Sequence, residues 1–254
     1  MTKKKTREFH PDERRVSVSA RLAAMVLPFV STEETRYYLT GIQIEPHPKG
    51  GVILVATDGH RLGAVHDPEG DSNGHWICPV PDVLARACRK QTARKGGIGG
   101  RAEQLHFRGR AGYVTDALLG DANPAVPGEY QMAQAFCPPI DGTYPDWRRA
   151  VPKWPPRGKP QLVSFNAAIT AGFIASASAA GCWKGSAPIS AFPGSGPSDP
   201  MLIRIDLPAA IDFIGIFMPM RCGLPDPDRE TGLPAWLREA GKKKRAPAKA
   251  KQAA

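Results

Sequence analysis

The sequence predicts an α+β fold assembled from a repeated unit: one strand, one short helix, then three more strands. Two observations carry this prediction. Runs in which apolar and polar residues alternate read as strands, whereas apolar residues at i, i+3 and i+4 mark helices between them. The order then recurs about three times along 254 residues, broken by connections rich in Pro and Gly. That length suffices for one large domain or two ordinary ones, and 42% hydrophobic residues exclude wholesale disorder.

Residues 1–15 hold six Lys/Arg against three acids and read as a basic, disordered arm. Val16 to Val18 alternates like a short strand. Ser19 is a suitable N-cap for a helix from Ala20 to Leu27, with Leu22, Met25 and Val26 as its buried stripe, and Pro28 ends it. Tyr38 to Ile44 and Val52 to Ala56 form a predicted hairpin joined by a Pro/Gly turn at His47 to Gly51. A polar knot, Thr57-Asp58-Gly59-His60-Arg61, then turns the chain into a third strand, Leu62 to Val65, with Gly59 supplying backbone freedom at the reversal.

After a polar connection from Asp67 to Gly74 the pattern begins again. Trp76 to Val80 is strand-like, and Pro81-Asp82 opens a helix that runs to about Gln91. Val83, Leu84, Ala87 and Cys88 make one side apolar; Arg86, Arg89, Lys90 and, on an extended helix, Arg94 occupy the other. Gly96 to Gly100 follows no strand and lacks the Lys-Ser/Thr ending of a nucleotide loop, so it reads as a flexible turn. Leu105 to Arg108 and Ala111 to Thr115 form a second hairpin, Leu118 to Gly128 a loop, and Glu129 to Phe136 another strand.

The prolines between Pro152 and Pro160 make a stiff linker. The third unit starts with a strand from Leu162 to Phe165, and Asn166 caps a helix from Ala167 to about Ala180, with Ile169 and Phe173 on its buried side and Gly181 as its stop. After a short strand, Ala187 to Pro200 reads as a Ser/Gly/Pro loop, followed by strands near Met201–Ile205 and Phe213–Phe217. Residues 238–254 carry seven Lys/Arg against one acid and read as a disordered tail suited to sequence-independent attraction to phosphates.

Several function classes fall away. No run of about 18 apolar residues suggests a membrane span, and the N-terminus lacks a signal peptide's apolar region, so the cytoplasm is the expected location. Five scattered cysteines, Cys78, Cys88, Cys137, Cys182 and Cys222, do not form a disulfide framework and are expected to be reduced. His75, Cys78 and Cys88 lack the second close ligand pair that zinc needs, and no cofactor is called for. Asp58 and His60 have neither a nucleophile nor a metal set around them; they read as a turn whose polar side chains hold its own backbone. The chain is therefore not expected to be an enzyme. Its net charge of +10 sits largely in the two tails, but residues 84–110 hold eight cations against Glu103 alone, which points to a phosphate-facing surface.

Three stretches carry a resemblance. Thr35-Arg36-Tyr37-Tyr38-Leu39 ahead of Val55-Ala56-Thr57-Asp58-Gly59-His60-Arg61-Leu62, then Asp141-Gly142-Thr143-Tyr144-Pro145-Asp146-Trp147-Arg148-Arg149, then Phe217-Met218-Pro219-Met220-Arg221, stand in the order and roughly the spacing of the bacterial DNA polymerase III β subunit, the sliding clamp. The resemblance implies a DNA-clamp fold of strand-helix-three-strand half-domains, with sheets outside and helices lining a hole. On that basis residues 16–140 resemble the middle clamp domain, 141–160 the interdomain connector, and 161–222 a shortened last domain. The counterpart of the family's first domain is missing, and residues 223–254 depart from the family.

What the resemblance implies for function is a processivity factor that encircles or holds duplex DNA and docks short peptide motifs of polymerase and clamp-loader subunits. Carried over by position, the peptide pocket comprises Thr57, Gly59, His60, Arg61 and Leu62 from the turn, Pro145, Arg149 and Ala150 from the connector, and Ile216, Met218, Pro219, Met220 and Arg221 from the end strand. By spacing alone the methionines read as core. Arg86, Arg89, Lys90, Arg94 and Lys95 are the expected DNA contacts, made without base specificity, whereas the third helix has no Lys or Arg. A homo-oligomer is expected, as a ring of three copies; the other reading is a clamp-like binding protein that forms no ring and sequesters or recruits replication proteins.

Overall fold

Ser19 decides where the first strand stops. In the computed structural model, which describes residues 10–90, 102–116, 131–151, 166–182, 187–192, 194, 196, 198–208 and 211–220, β1 spans Arg15–Ser19 and α1 Ala20–Val26. The Ser19 hydroxyl accepts the Leu22 N–H at 3.5 Å, and its own N–H donates to the buried Asp67 carboxylate at 2.7 Å. Six of the seven α1 residues are buried, because α1 lies between the other two helices and against strands of both sheets.

The first unit continues with β2 (Ile42–Pro46), β3 (Val52–Thr57) and β4 (Arg61–Asp67). A two-residue β5 (Asp71–Ser72) follows, then β6 (Trp76–Cys78), α2 (Asp82–Cys88), β7 (Ala102–Arg108), β8 (Ala111–Asp116) and β9 (Gln131–Phe136). The third unit supplies α3 (Ala167–Ala179), β10 (Ile189–Phe192), β11 (Met201–Ile205) and β12 (Asp212–Phe217). Among the described residues all strand pairs are antiparallel and make two sheets, β5-β1-β7-β8-β9 and β10-β11-β12-β4-β3-β2-β6.

The first two units exchange their leading strands: β1 pairs with β7 of the second unit, and β6 pairs with β2 of the first. The third unit joins differently, by laying β12 against β4 over six residue pairs from Asp212↔His66 to Phe217↔Arg61. The larger of two apolar clusters results, in which residues of both sheets pack on α1, α2 and α3. Residues through Met220 form one compact unit; the remainder, Arg221–Ala254, lies outside the described residues.

Several sequence expectations are corrected. Tyr38 and Leu39 do not begin a strand: Glu34–Leu39 is 3₁₀-helical, the Thr40 N–H closes it on the Tyr37 carbonyl, and β2 starts at Ile42. Asp71–Ser72 pairs with β1 inside what reads as a polar connection, and β10 forms inside what reads as a Ser/Gly/Pro loop. On α2 the buried residues are Leu84, Ala85, Ala87 and Cys88, whereas Val83 is 43% exposed. The helix ends at Cys88 instead of about Gln91. The Gly96–Gly100 turn, the Leu118–Gly128 loop, the Pro152–Pro160 linker, the Leu162–Phe165 strand and both basic tails lie outside the described residues.

Candidate functional site

The Thr57–Arg61 turn is held by its own side chains. The Thr57 hydroxyl donates to the Arg61 carbonyl at 2.8 Å and accepts the Gly59 N–H at 3.1 Å. Asp58 Oδ1 accepts the N–H groups of His60 and Arg61 at 2.9 and 3.0 Å, and Oδ2 accepts Arg61 Nε at 2.9 Å. Gly59 sits at φ 90°, where a side chain would be strained, and a Cβ there would also lie 2.4 Å from Arg36 Nη1. With both carboxylate oxygens committed to the turn, Asp58 is a structural anchor, not an acid/base group for His60.

That turn lies against the end strand and the helix of the third unit. The Met218 N–H donates to the His60 carbonyl at 2.8 Å, extending the β4–β12 ladder past Phe217. Arg61 crosses to α3, where Nη1 donates to the Ile169 carbonyl at 3.4 Å, and its guanidinium lies 5.8 Å from the centre of the Phe29 ring. Between these elements opens a cleft of about 420 Å³ lined by Asp58, His60, Arg61, Asn166, Ala168, Ile169, Met218, Pro219 and Met220. Met218 and Met220 are 37% and 53% exposed, so they present thioethers to solvent instead of filling the core. Asn166 caps α3 at the cleft edge, its Oδ1 accepting the Ala168 N–H at 2.9 Å.

The connector covers the outer face of the seven-stranded sheet beside the cleft. Trp147, Val55, Leu62, Ala64, Leu202 and Ile216 form a second apolar cluster, against which Tyr144, Ala150 and Val151 pack. The Tyr144 hydroxyl reaches the Val55 carbonyl at 3.5 Å, and burial pushes its pKa up. Arg148 stacks on the Trp147 ring at 4.4 Å and pairs with Glu45, whose carboxylate is only 6% exposed.

The expected pocket residues therefore divide. His60, Arg61, Met218, Pro219 and Met220 share the cleft, while Leu62, Ala150 and Ile216 lie in the adjoining cluster. Thr57 is buried in the turn, Gly59 forms its apex, Pro145 and Arg149 stand exposed on the connector, and Arg221 is outside the described residues. Asp58, Asn166, Ala168 and Ile169 complete the cleft and were not expected there. Of the expected DNA contacts, Arg86, Arg89 and Lys90 are exposed around α2, and Arg94 and Lys95 are outside the described residues.

Among the described residues no group of three or more His, Cys, Asp or Glu could hold a metal, and no helix is long and apolar enough to cross a membrane. Cys78 is fully buried, and desolvation holds its thiol up at about 12 although Arg14 Nη1 lies 3.7 Å from the sulfur. His75 faces Glu45 at 3.9 Å.

No family model matches the chain. Over 127 residues it is 32% identical to the β sliding clamp of Caulobacter vibrioides, a stretch that is 49% of this chain and 30% of the relative. The chain thus aligns with less than a third of that protein's length. The fold matches the DnaN sliding clamp (DNA polymerase III subunit β) of Bartonella birtlesii, solved bound to griselimycin, with a TM-score of 0.54 at 19% identity over 85% of this chain and 68% of that one. The chain therefore has the fold of a β sliding clamp. The DNA polymerase III β subunit of Thermotoga maritima shares that fold, with a TM-score of 0.52 at 15% identity, covering 87% of this chain and 70% of its counterpart.

Proposed function

We propose that this chain is a clamp-type replication processivity factor. It holds duplex DNA against the basic face of α2 and docks short peptide motifs of polymerase and clamp-loader subunits in the cleft between the Thr57–Arg61 turn and Met218–Met220. The observation that carries this reading is the meeting, in one cleft, of the two exposed methionines with His60, Arg61 and Ile169. Thioethers and Ile169 offer an adaptable apolar floor for a partner's Leu or Phe, and the polar rim offers groups for peptide carbonyls and acids. The protein takes no chemical step of its own; residues 16–140 act as the clamp domain and 161–222 as a shortened second one.

The test is fluorescence anisotropy with a labelled peptide carrying a Leu-Phe pair, alongside griselimycin, the molecule bound in the Bartonella structure. Ile169→Lys and Met218→Ala should each weaken peptide binding about tenfold or more, as expected for about 1.4 kcal/mol of lost apolar contact. Unchanged affinity in both would refute the docking site.

A second reading is a clamp-like binding protein that forms no ring and recruits or sequesters replication proteins. It is favoured by α3, which carries no Lys or Arg and so offers DNA a neutral surface. Retention on nicked circular but not linear DNA supports encirclement; equal retention supports the second reading.

A further inference from the structure

The five-stranded sheet ends at β9, an edge strand that has a register irregularity at Met132 but lacks the side chains that usually guard an edge. Such strands are commonly protected by a charge, a proline or a cover. The six residues of β9, Gln131-Met132-Ala133-Gln134-Ala135-Phe136, include neither charge nor proline, and Phe136 is 73% exposed, the most exposed large hydrophobic among the described residues. Of the other three edge strands, β5 and β6 are only two and three residues long, and β10 is bracketed in the sequence by Pro188 and Pro193, which cannot donate a hydrogen bond.

The backbone of β9 indicates which groups face outward. The Cys137 N–H donates to the Arg110 carbonyl at 2.8 Å, and Ala135 and Ala133 stand opposite Gly112 and Val114 in the same ladder. Because backbone groups alternate sides along a strand, the N–H and C=O of Gln134 and Phe136 point away from β8. The chain also shows how such an edge is satisfied. β4, the last of the three strands that follow the helix of the first unit, pairs antiparallel with β12, the last of those that follow the helix of the third. β9 holds the same place in the second unit, and among the described residues it has no such partner.

We infer that β9 pairs antiparallel with β9 of a second copy of this chain across a two-fold axis at Ala135. That register sets Gln134 of each strand opposite Phe136 of the other and forms four N–H···O bonds from the groups that point outward. It brings the two Phe136 rings within the diagonal reach of about 7–8 Å between cross-strand neighbours. The register irregularity of β9 falls between the residues facing Val114 and Thr115, at Met132, and stays outside the joint. Like edges meeting across a two-fold axis close at two copies. A three-copy ring would instead need β9 to meet a different surface of the next copy, because like edges cannot close a head-to-tail ring.

Sedimentation equilibrium on the full chain tests this, with an expected mass twice that of one 27.3 kDa chain. Gln134→Pro removes a donor from the free edge only, and Phe136→Lys adds a charge there; each should raise the dimer dissociation constant at least tenfold while leaving the melting temperature of the monomer unit unchanged. Ala135→Cys should give a disulfide-linked dimer on mild copper-phenanthroline oxidation, well above the level from the parent protein. A monomer, a three-copy mass, or a dimer that survives both edge substitutions while the Ala135→Cys variant fails to cross-link would overturn the inference. None of the cleft residues takes part, so peptide binding by the edge variants separates this outcome from failure of the functional reading.

Discussion

His106 provides a stability measurement whose sign and size both follow from its surroundings. The ring lies on the outer face of β7, stacked on Tyr113 with centroids 5.0 Å apart. Nδ1 is 2.9 Å from the Ser17 hydroxyl and Nε2 is 3.4 Å from that of Thr115. The residue is 9% exposed, and Arg108 binds the same Ser17 hydroxyl at 3.0 Å. Burial, and then the Arg108 charge, lower the pKa from 6.5 to about 4. Between those values the unfolded chain takes up a proton that the folded chain refuses. The contribution is therefore complete above pH 6.5, falls as the pH drops, and is gone once the pH passes below about 4. At about 1.36 kcal/mol per pH unit the whole effect is at most roughly 3 kcal/mol, of which about 2 kcal/mol is lost by pH 5. Carboxylates titrate over part of the same range, so the measurement is a difference. Urea unfolding of the parent and of His106→Gln at about pH 7.5 and about pH 5 should show the parent losing about 2 kcal/mol more than the variant on acidification. Equal losses in the two proteins would show that the imidazole is not held neutral by its site.

Two further outcomes are expected from the other surfaces. Replacing Arg86, Arg89 and Lys90 together by Gln should weaken binding to duplex DNA of any sequence and reduce the slope of log K against log salt by about 3, at about 0.9 per lost phosphate contact; an unchanged slope, measured by anisotropy titration, would place the DNA elsewhere. Arg148→Met leaves the buried Glu45 carboxylate without its guanidinium and uncovers the Trp147 ring. Because that guanidinium is half exposed, the loss should be roughly 1–2 kcal/mol in urea unfolding, recovered in part by Glu45→Gln in the same chain; no loss in the single variant would mean that the pair does not secure the connector.

Local chemistry was legible in the sequence, and long-range approach was not. Ser19, Asn166 and the Thr57–Arg61 turn follow from side chains that bind backbone groups within four residues, so their spacing alone carries the signal. Tyr38 and Leu39 alternate as a strand would, yet a carbonyl three residues back captures the Thr40 N–H, and periodicity cannot distinguish the two. On α2 the inward stripe includes Ala85 in place of Val83, because β7, β8 and β9 pack on that helix and fix which side faces inward. β10 lies in a stretch with the Ser, Gly and Pro content of a loop, between Pro188 and Pro193, and pairs as a strand along β11. In the cleft, the position of Met218–Met220 came from the family resemblance. Asn166 and Ile169 gave a cap and an apolar position, and neither signal indicates that α3 begins beside the turn.

That approach of α3 depends on space reserved in the sheet. Phe29 packs on Phe173 of α3 and Phe213 of β12, with centroids 5.1 and 6.2 Å apart. A Cβ on Gly63 would lie 2.5 Å from the Phe29 ring, and one on Gly215, opposite it in the β4–β12 ladder, 2.2 Å from the Phe173 ring. Two glycines side by side on adjacent strands thus admit two rings, which draw α3 onto the sheet and bring the Ile169 carbonyl within reach of Arg61. Arg61 is held at the same time by Asp58, so one wall of the cleft is fixed by the turn and the other by the aromatic core. The methionines alone are left adaptable. Fixed walls beside movable methionines limit the ordering cost of binding to a few side chains, which is what the proposed docking of peptides that share an apolar residue but differ around it would require.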